Sequence, residues 1–279
     1  MHNLINELVL PFSFPFMQYA FLVLILVSSM TALLSCFLVL KGWSLMGDAI
    51  SHSVLPGVVI AYVLAIPYVV GAFFAGIVCA LATGFLKENS KIKEDTIMGV
   101  VFSGMFGLGL LLMTKVDSGV HLDHILYGNV LGVSISDLAE TAVITVAVFC
   151  FIIFKGKDLL VYIFDAQHAQ AIGLPVRFLH YGLLCLLSLA IVGALKAVGM
   201  ILVIAMLIAP GSIAYLLTQR FSYMIYYAVV ISIGSAFSGL YISFYIDSAP
   251  APTIVLLLAL CFIIVFSYTS YKQRCLETI

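Results

Sequence analysis

Long apolar runs constrain this chain more than any other feature, because nearly all of its charged residues lie between them. Residues 16–40 contain no charged side chain, and they exceed the roughly 20 residues that a helix needs to cross a bilayer. Hydrophobic residues make up 64% of the 279 residues and charged ones 9%, far below the roughly 25% of soluble domains. The sequence therefore predicts an all-α polytopic membrane protein.

Such runs predict eight to nine transmembrane helices, and the lower number applies if the second run does not cross the bilayer fully. We expect a lead-in at residues 1–15, a single transmembrane domain at 16–271 and a tail at 272–279. The runs are 16–40, 48–66, 68–86, 96–113, 137–154, 178–195, 198–217, 222–245 and 253–271.

The distribution of Lys and Arg predicts the orientation, because cytoplasmic loops carry an excess of both. With nine spans and the N-terminus outside, only Lys115 and Lys196 of the 12 Lys and Arg residues fall on the outer side. We interpret Lys196 as a residue of a short connector that reaches the membrane interface. Trp43, which follows the first run, is interpreted as an interfacial anchor.

Composition argues against several other classes of function. A net charge of −1 and the lack of a basic tract argue against nucleic acid as a partner. The six cysteines stand singly, without a Cys-x-x-Cys pair, which argues against a disulfide framework or a thiolate zinc site. No Lys- or Arg-rich segment precedes the first apolar run, so no cleaved signal peptide is expected.

Asp48 and His52 form the strongest candidate site. Their spacing of four residues places both on one face of a helix, and a carboxylate within apolar surroundings persists where it is paired, hydrated or functional. Carboxylate and imidazole together suit Mn²⁺, Fe²⁺ or Zn²⁺. Pro56 lacks an N–H, so it should free the carbonyl of His52 as a third donor. A metal pathway is favoured over the alternative, a helix-capping Asp and a His bonded to a neighbouring helix.

A short helix outside the membrane is expected at residues 166–172. Asp165 is a good N-cap, Gly173 suits the position after the last turn, and Pro175 stops the helix. The preceding residues 159–164 look like a strand. The helix should present Ala166, Ala169, Gln170 and Ile172 outside the membrane, and small residues there suit insertion into a groove on another protein.

The outer segment 115–136 is polar and Gly-rich, and a short helix or re-entrant hairpin fits it best. Three of its residues, His121, Asp123 and His124, have the chemistry of metal ligands. We favour packing or hydration of a gate there over a second transport site. No partner is predicted for His180.

Five segments carry a resemblance to a known family: 40–57 (LKGWSLMGDAISHSVLPG), 92–106 (IKEDTIMGVVFSGMF), 124–132 (HILYGNVLG), 164–175 (FDAQHAQAIGLP) and 195–210 (LKAVGMILVIAMLIAP). In this order they resemble the permease subunits of the manganese/zinc/iron class of ATP-binding-cassette importers. The resemblance covers nearly the whole chain. It implies the helical fold of type II importer permeases and a place in a prokaryotic plasma membrane, with the C-terminus in the cytoplasm.

The same resemblance implies partners and roles. The partners are a second copy in a homodimer, two cytoplasmic ATPase subunits and an extracytoplasmic metal-binding protein. Asp48 and His52 would hold the transported metal, which is Mn²⁺ by the likeness of residues 124–129 to manganese and iron members, with Fe²⁺ or Zn²⁺ as alternatives. Residues 155–177 would couple to the ATPase and 115–136 would form the outer gate. The coupling residues are Asp165, Ala166, Ala169, Gln170, Ile172, Gly173 and Pro175, and the gate residues are His124, Tyr127 and Asn129.

Two other function classes compete with this interpretation. The chain has no Gly-rich loop ending in Lys-Ser/Thr, so ATP should be hydrolysed on a separate subunit and the chain should be no enzyme. No permanently bound cofactor is expected. An intramembrane metalloprotease would need a His-Glu-x-x-His motif, which is absent. An ATP-independent metal channel or carrier is the remaining alternative, and it would not need the helix at 166–172.

Overall fold

The structure is a computed structural model that describes residues 10–43, 45–115 and 128–277. The regular elements in these ranges are helices, together with short 3₁₀ turns at Leu10–Ser13 and Val130–Gly132. The helices are α1 (Pro15–Lys41), α2 (Met46–Ser53), α3 (Leu55–Val63), α4 (Tyr68–Asn89), α5 (Glu94–Lys115), α6 (Ile135–Phe164), α7 (Ala166–Ala171), α8 (Val176–Val198), α9 (Met200–Leu217), α10 (Phe221–Ile246) and α11 (Pro250–Glu277).

Among the described residues, nine helical stretches are long and apolar enough to cross a membrane. The prediction of an all-α polytopic membrane protein is therefore confirmed. The second stretch, Met46–Val63, spans 18 residues and consists of α2 and α3 together. This count agrees with the upper number predicted from hydropathy, and it rests on length and composition.

The predicted strand at residues 159–164 is wrong. These residues form the last turns of α6, which continues without a break to Phe164. A short apolar run with β-branched residues fits a strand or a buried helix equally well by periodicity. Continuing the helix satisfies each backbone group within the segment, whereas a strand would need a partner strand.

One compact unit contains α2 to α5, all of α7 and most of α6 and α8. It consists of residues 40–122 and 146–195. In it α3 packs on α4 and α5, and α2 packs on α5. A Cβ on Gly57 of α3 would overlap the carbonyl oxygen of Gly71 in α4, so the two backbones touch as small residues allow in membrane proteins. This contact holds α3, and with it the end of α2, against α4.

The other compact unit contains most of α1 and all of α9, α10 and α11. It consists of residues 1–39, 123–145 and 196–279. Pro210 lies inside α9 and has no N–H for the helical ladder. Beside it, the N–H of Gly211 donates to Oγ of Ser35 in α1 over 2.9 Å. A serine of one helix thus supports the backbone of its neighbour at a proline, as is common within membranes.

Candidate metal site and coupling segment

Asp48 and His52 lie on the same side of α2, close enough to interact. Nε2 of His52 is 3.3 Å from Oδ1 of Asp48. Asp48 is in the first turn of α2 and His52 in the last, which are the positions where the helix dipole favours an acidic and a basic group. The side chains of Asp48 and His52 are 38% and 29% exposed, so both keep atoms that a cation can reach.

The helix breaks directly after this pair. α2 ends at Ser53 and α3 begins at Leu55, with Pro56 in its first turn. Pro56 has no N–H to offer the carbonyl of His52, so that carbonyl leaves the helical ladder as predicted. It is not left unpaired, however, because the N–H of Val54 donates to it. The carbonyl of His52, which was expected to be the third metal ligand, already accepts one hydrogen bond. Only its second lone pair can bind a metal.

Two aromatic side chains of α5 face the imidazole. The ring centroids of Phe102 and Phe106 lie 6.0 and 5.3 Å from that of His52, and the Phe106 ring is edge-on. The two are four residues apart, so they lie on one face of α5. An apolar wall lowers the local dielectric constant and strengthens the attraction between a carboxylate and a cation. Neither residue was predicted as part of the site, and their four-residue spacing is the only local signal.

No third ligating side chain joins the pair within the described part of the chain. Over residues 10–43, 45–115 and 128–277, no group of three or more His, Cys, Asp or Glu side chains is placed to hold a metal ion. Within these ranges the site consists of one carboxylate and one imidazole.

The helix predicted at residues 166–172 is confirmed as α7, and both of its ends are capped. Oδ1 of Asp165 accepts hydrogen bonds from the N–H groups of Gln167 and His168, both at 2.9 Å. Gly173 has a φ of +82°, and its N–H donates to the carbonyl of Gln170. The N–H of Leu174 donates to the carbonyl of Ala169. These two bonds form the Schellman arrangement that glycine favours at a helix end.

The predicted coupling residues do not all face outward. Six of them are exposed: Asp165, Ala166, Gln170, Ile172, Gly173 and Pro175. Ala169 is fully buried within the chain, which corrects the expectation that its side chain is presented to a partner. It lies on the face of α7 that packs against the rest of the chain, a fact that depends on tertiary contacts.

A further group of side chains flanks α7. Oη of Tyr162 is 2.8 Å from Nδ1 of His180, and the ring of Trp43 meets that of His180 edge-on at 5.3 Å. Nζ of Lys41 lies 4.1 Å from the ring centroid of Tyr162, within the range of a cation–π interaction. His180 thus has the partner that the sequence did not indicate. Trp43 is 2% exposed, so it is a packed residue and not the predicted interfacial anchor.

The predicted gate lies mostly outside the described residues. His121, Asp123, His124 and Tyr127 fall there, and only Asn129 can be placed. Asn129 is exposed and its carbonyl accepts the N–H of Gly132, closing the short 3₁₀ turn.

Lys196 lies in the last turn of α8 and not in a connector. It forms ion pairs with Asp137 and, at 3.3 Å, with Glu140, both in the first turns of α6. Asp137 also accepts hydrogen bonds from the N–H and hydroxyl of Ser134, which caps α6. The expectation that Lys196 lies in a connector is therefore corrected: it lies in the last turn of a helix and has two carboxylate partners.

Comparisons with known proteins give a consistent result. Residues 13–269 match the family described as "ABC 3 transport family". The chain is 54% identical over 270 residues to "Chelated iron transport system membrane protein YfeD" of Yersinia pestis, covering 97% of this chain and 90% of that protein. It is 48% identical over 257 residues to "Manganese transport system membrane protein MntB" of Synechocystis sp., covering 92% and 84%. The solved structure "PsaBC from Streptococcus pneumoniae in complex with Fab" is similar with a TM-score of 0.84 and 38% identity, covering 94% of this chain and 95% of that one.

Proposed function

The chain belongs to the ABC 3 transport family, and on that basis we propose that it is the membrane-spanning permease of an ATP-driven importer of a divalent transition metal. Family membership confirms the resemblance drawn from the five sequence segments. The metal enters the cytoplasm by alternating access. Two similar proteins are named for iron and for manganese transport, which supports Mn²⁺ as the cargo and Fe²⁺ as its nearest alternative, with Zn²⁺ third.

One observation carries the proposal to the level of residues. Asp48 and His52 place a carboxylate and an imidazole 3.3 Å apart on one face of α2, partly exposed, within a candidate membrane span. Two such groups persist inside a bilayer where they are paired, hydrated or functional, and their partial exposure favours the functional account. They bind the passing cation, and the rings of Phe102 and Phe106 exclude water from one side of it. The metal is cargo and not a resident cofactor.

Energy comes from partner subunits. The chain itself has no ATP-binding loop, so two cytoplasmic ATPase subunits hydrolyse ATP and contact the exposed residues of α7. Two copies of the chain form the pathway, and an extracytoplasmic metal-binding protein delivers the cargo. ATP binding shifts the equilibrium between outward- and inward-open states, and the metal must bind one of them better for transport to be directional.

Reconstitution of the permease with its ATPase in liposomes tests this function. Uptake of radioactive Mn²⁺ is measured with competing Fe²⁺ and Zn²⁺, first with the active ATPase and then with one whose ATP-binding lysine is replaced. We expect uptake only with the active ATPase. Equal uptake with the inactive one would favour the alternative, an ATP-independent channel or carrier. Co-purification of two differently tagged copies of the chain checks the homodimer.

A further inference from the structure

Four side chains connect the helix that carries the candidate metal site with the segment that carries α7. We call Lys41, Trp43, Tyr162 and His180 the aromatic cluster. All four belong to the compact unit that also contains α2 and α7. The contacts within the cluster are therefore contacts within one packed body.

Tyr162 and His180 stand on the two helices that flank α7. Tyr162 is three residues before the cap Asp165, and His180 is five residues after Pro175. Their hydrogen bond of 2.8 Å joins α6 to α8 on either side of α7. α7 is joined to α6 through the extended residue Asp165 and to α8 through the turn at residues 172–175, so a displacement of α7 by a partner reaches this bond across a few residues on either side.

The other half of the cluster leads into α2. The carbonyl of Trp43 accepts the N–H of Met46 over 3.0 Å, at the entry to α2, and Asp48 is five residues beyond Trp43. The Trp43 ring is buried and packs edge-on against His180, so a shift of the His180 ring would displace it. A shift of His180 is thus passed to the start of the helix that carries Asp48 and His52.

We propose that the aromatic cluster positions the metal site: it transmits movement of α7 to α2 and so sets how tightly Asp48 and His52 hold the cargo. The inference rests on the proposed function, since it requires α7 to contact an ATPase and the pair to bind metal. Coupling between separate sites, here α7 and the metal site, is carried by packed side chains that have discrete arrangements. The Tyr162–His180 hydrogen bond is formed in this structure, and in the proposal its breaking gives the second arrangement.

Tyr162→Phe is the sharpest test, because it removes one oxygen atom and keeps the ring beneath Lys41. The permease–ATPase complex is reconstituted, and the Mn²⁺ transported and the ATP hydrolysed are measured together. We expect the ratio of Mn²⁺ transported to ATP hydrolysed to fall by about fivefold or more, since coupling between sites typically amounts to at least that factor. ATP hydrolysis and co-purification of the ATPase should stay at wild-type values, which a merely structural role would not predict.

Tyr181→Phe is the matched control. The ring of Tyr181 also meets His180 edge-on, at 5.0 Å, but Tyr181 lies outside the proposed path. The ratio of Mn²⁺ transported to ATP hydrolysed should therefore be unchanged in this variant. A wild-type ratio in Tyr162→Phe, or an equal loss in Tyr181→Phe, overturns the inference. Should Tyr162→Phe fail to assemble, Lys41→Met removes the charge over the same ring and should lower the same ratio; an unchanged ratio there overturns the inference as well.

The two proposals fail in different ways. If the wild-type complex takes up no Mn²⁺ with its active ATPase, the proposed function fails. If the wild type transports Mn²⁺ and the cluster variants keep its ratio, the function stands and only the role of the cluster fails.

Discussion

At the scale of single residues, two carboxylates of this chain each face a basic side chain one helical turn away. Asp158 is 30% exposed and its Oδ2 lies 3.0 Å from Nζ of Lys155, while Asp48 faces the imidazole of His52. An ammonium group has no lone pair and cannot bind a metal. A neutral imidazole has one, so Asp48 and His52 together can bind a cation, whereas Asp158 and Lys155 cannot both do so.

Asp48→Asn and His52→Ala should therefore each lower Mn²⁺ uptake by about tenfold or more, because losing even an outer partner of a metal ligand costs about 10–100-fold. Uptake by the reconstituted complex, normalised to the amount of complex, is the measurement. Asp247→Asn is the control: Asp247 follows the last turn of α10, outside the metal site and the predicted coupling and gate segments, and the variant should transport like the wild type. Wild-type uptake in either site variant would remove the pair from the pathway.

Zn²⁺ should inhibit transport more than it is transported. The pair offers one carboxylate, one imidazole and no thiolate, and Zn²⁺ binds most nitrogen and oxygen sites more tightly than Mn²⁺ does. Selection of Mn²⁺ over Zn²⁺ must then come from the rate of release. Zn²⁺ favours a tight four-coordinate arrangement, so it should leave the site slowly. Initial rates of Mn²⁺ and Zn²⁺ uptake are compared at equal occupancy of the delivering protein, and equal rates would disprove this expectation.

At the scale of elements, α7 has a stability that its length alone would not provide. It has six residues, and isolated helices shorter than about 12–15 residues are marginal in water. The carboxylate of Asp165 supports its first turn, the two bonds around Gly173 support its last, and Ala169 anchors one face within the chain. The opposite face is thus a preformed surface that needs no partner to take shape.

Ile172→Arg should disrupt co-purification of the ATPase, because Ile172 is 56% exposed at the end of α7 and a charge there would oppose insertion into an apolar groove. Ile92→Arg is the matched control, with the same exchange at 55% exposure in another loop, and the complex should survive it. Loss of the ATPase in both variants, or in neither, would place the docking surface elsewhere. Ala169→Arg is unsuitable for this purpose, because it would disturb the packing of the chain itself.

Gly57→Ala should destabilise the contact between α3 and α4. Its methyl group would overlap the carbonyl oxygen of Gly71 and lie 2.6 Å from Cβ of Ala75, and such overpacking costs about 1–3 kcal/mol. A lower midpoint of thermal unfolding in detergent is expected. Gly104→Ala in α5 is the control, since a Cβ there meets no atom within 4 Å and alanine favours a helix by about 1 kcal/mol. Equal midpoints for the two variants would contradict the close approach.

At the scale of the whole chain, hydropathy is the strongest guide. The apolar runs coincide with nine candidate spans in the described residues, because a bilayer requires each spanning segment to satisfy its own backbone and so leaves helices as the solution for such runs. The caps of α7 were also predictable, since Asp165, Gly173 and Pro175 act on neighbouring residues. The pairing of Asp48 with His52 follows from helical spacing alone.

Long-range contacts were beyond local patterns. The partners of His180 are 18 and 137 residues away along the chain, and no short motif links them. The burial of Ala169 and the ion pairs of Lys196 likewise depend on which helices meet. The misassigned strand at 159–164 shows a related limit: a short apolar run does not reveal whether the helix before it continues.

The predicted orientation can be tested on the intact chain. With nine spans, the N-terminus should face outward and the C-terminus the cytoplasm. A reporter that fluoresces only in the cytoplasm should be bright when fused after residue 279. An epitope fused before residue 1 should be digested by protease added to cells whose plasma membrane is intact and whose outer membrane is permeabilised. An N-terminal epitope that is protected in such cells, beside a bright C-terminal reporter, would indicate eight spans.

The hydrogen bond from the N–H of Gly211 to Oγ of Ser35 links α9 to α1. Sliding one helix past the other would take from the buried Ser35 hydroxyl its partner beside Pro210, and an unsatisfied buried group costs about 1–3 kcal/mol. No water is present in the hydrocarbon core to replace the lost bond. In the proposed alternating-access cycle, α1 and α9 should therefore move together, and the opening and closing movements should come from helices that lack such a bond.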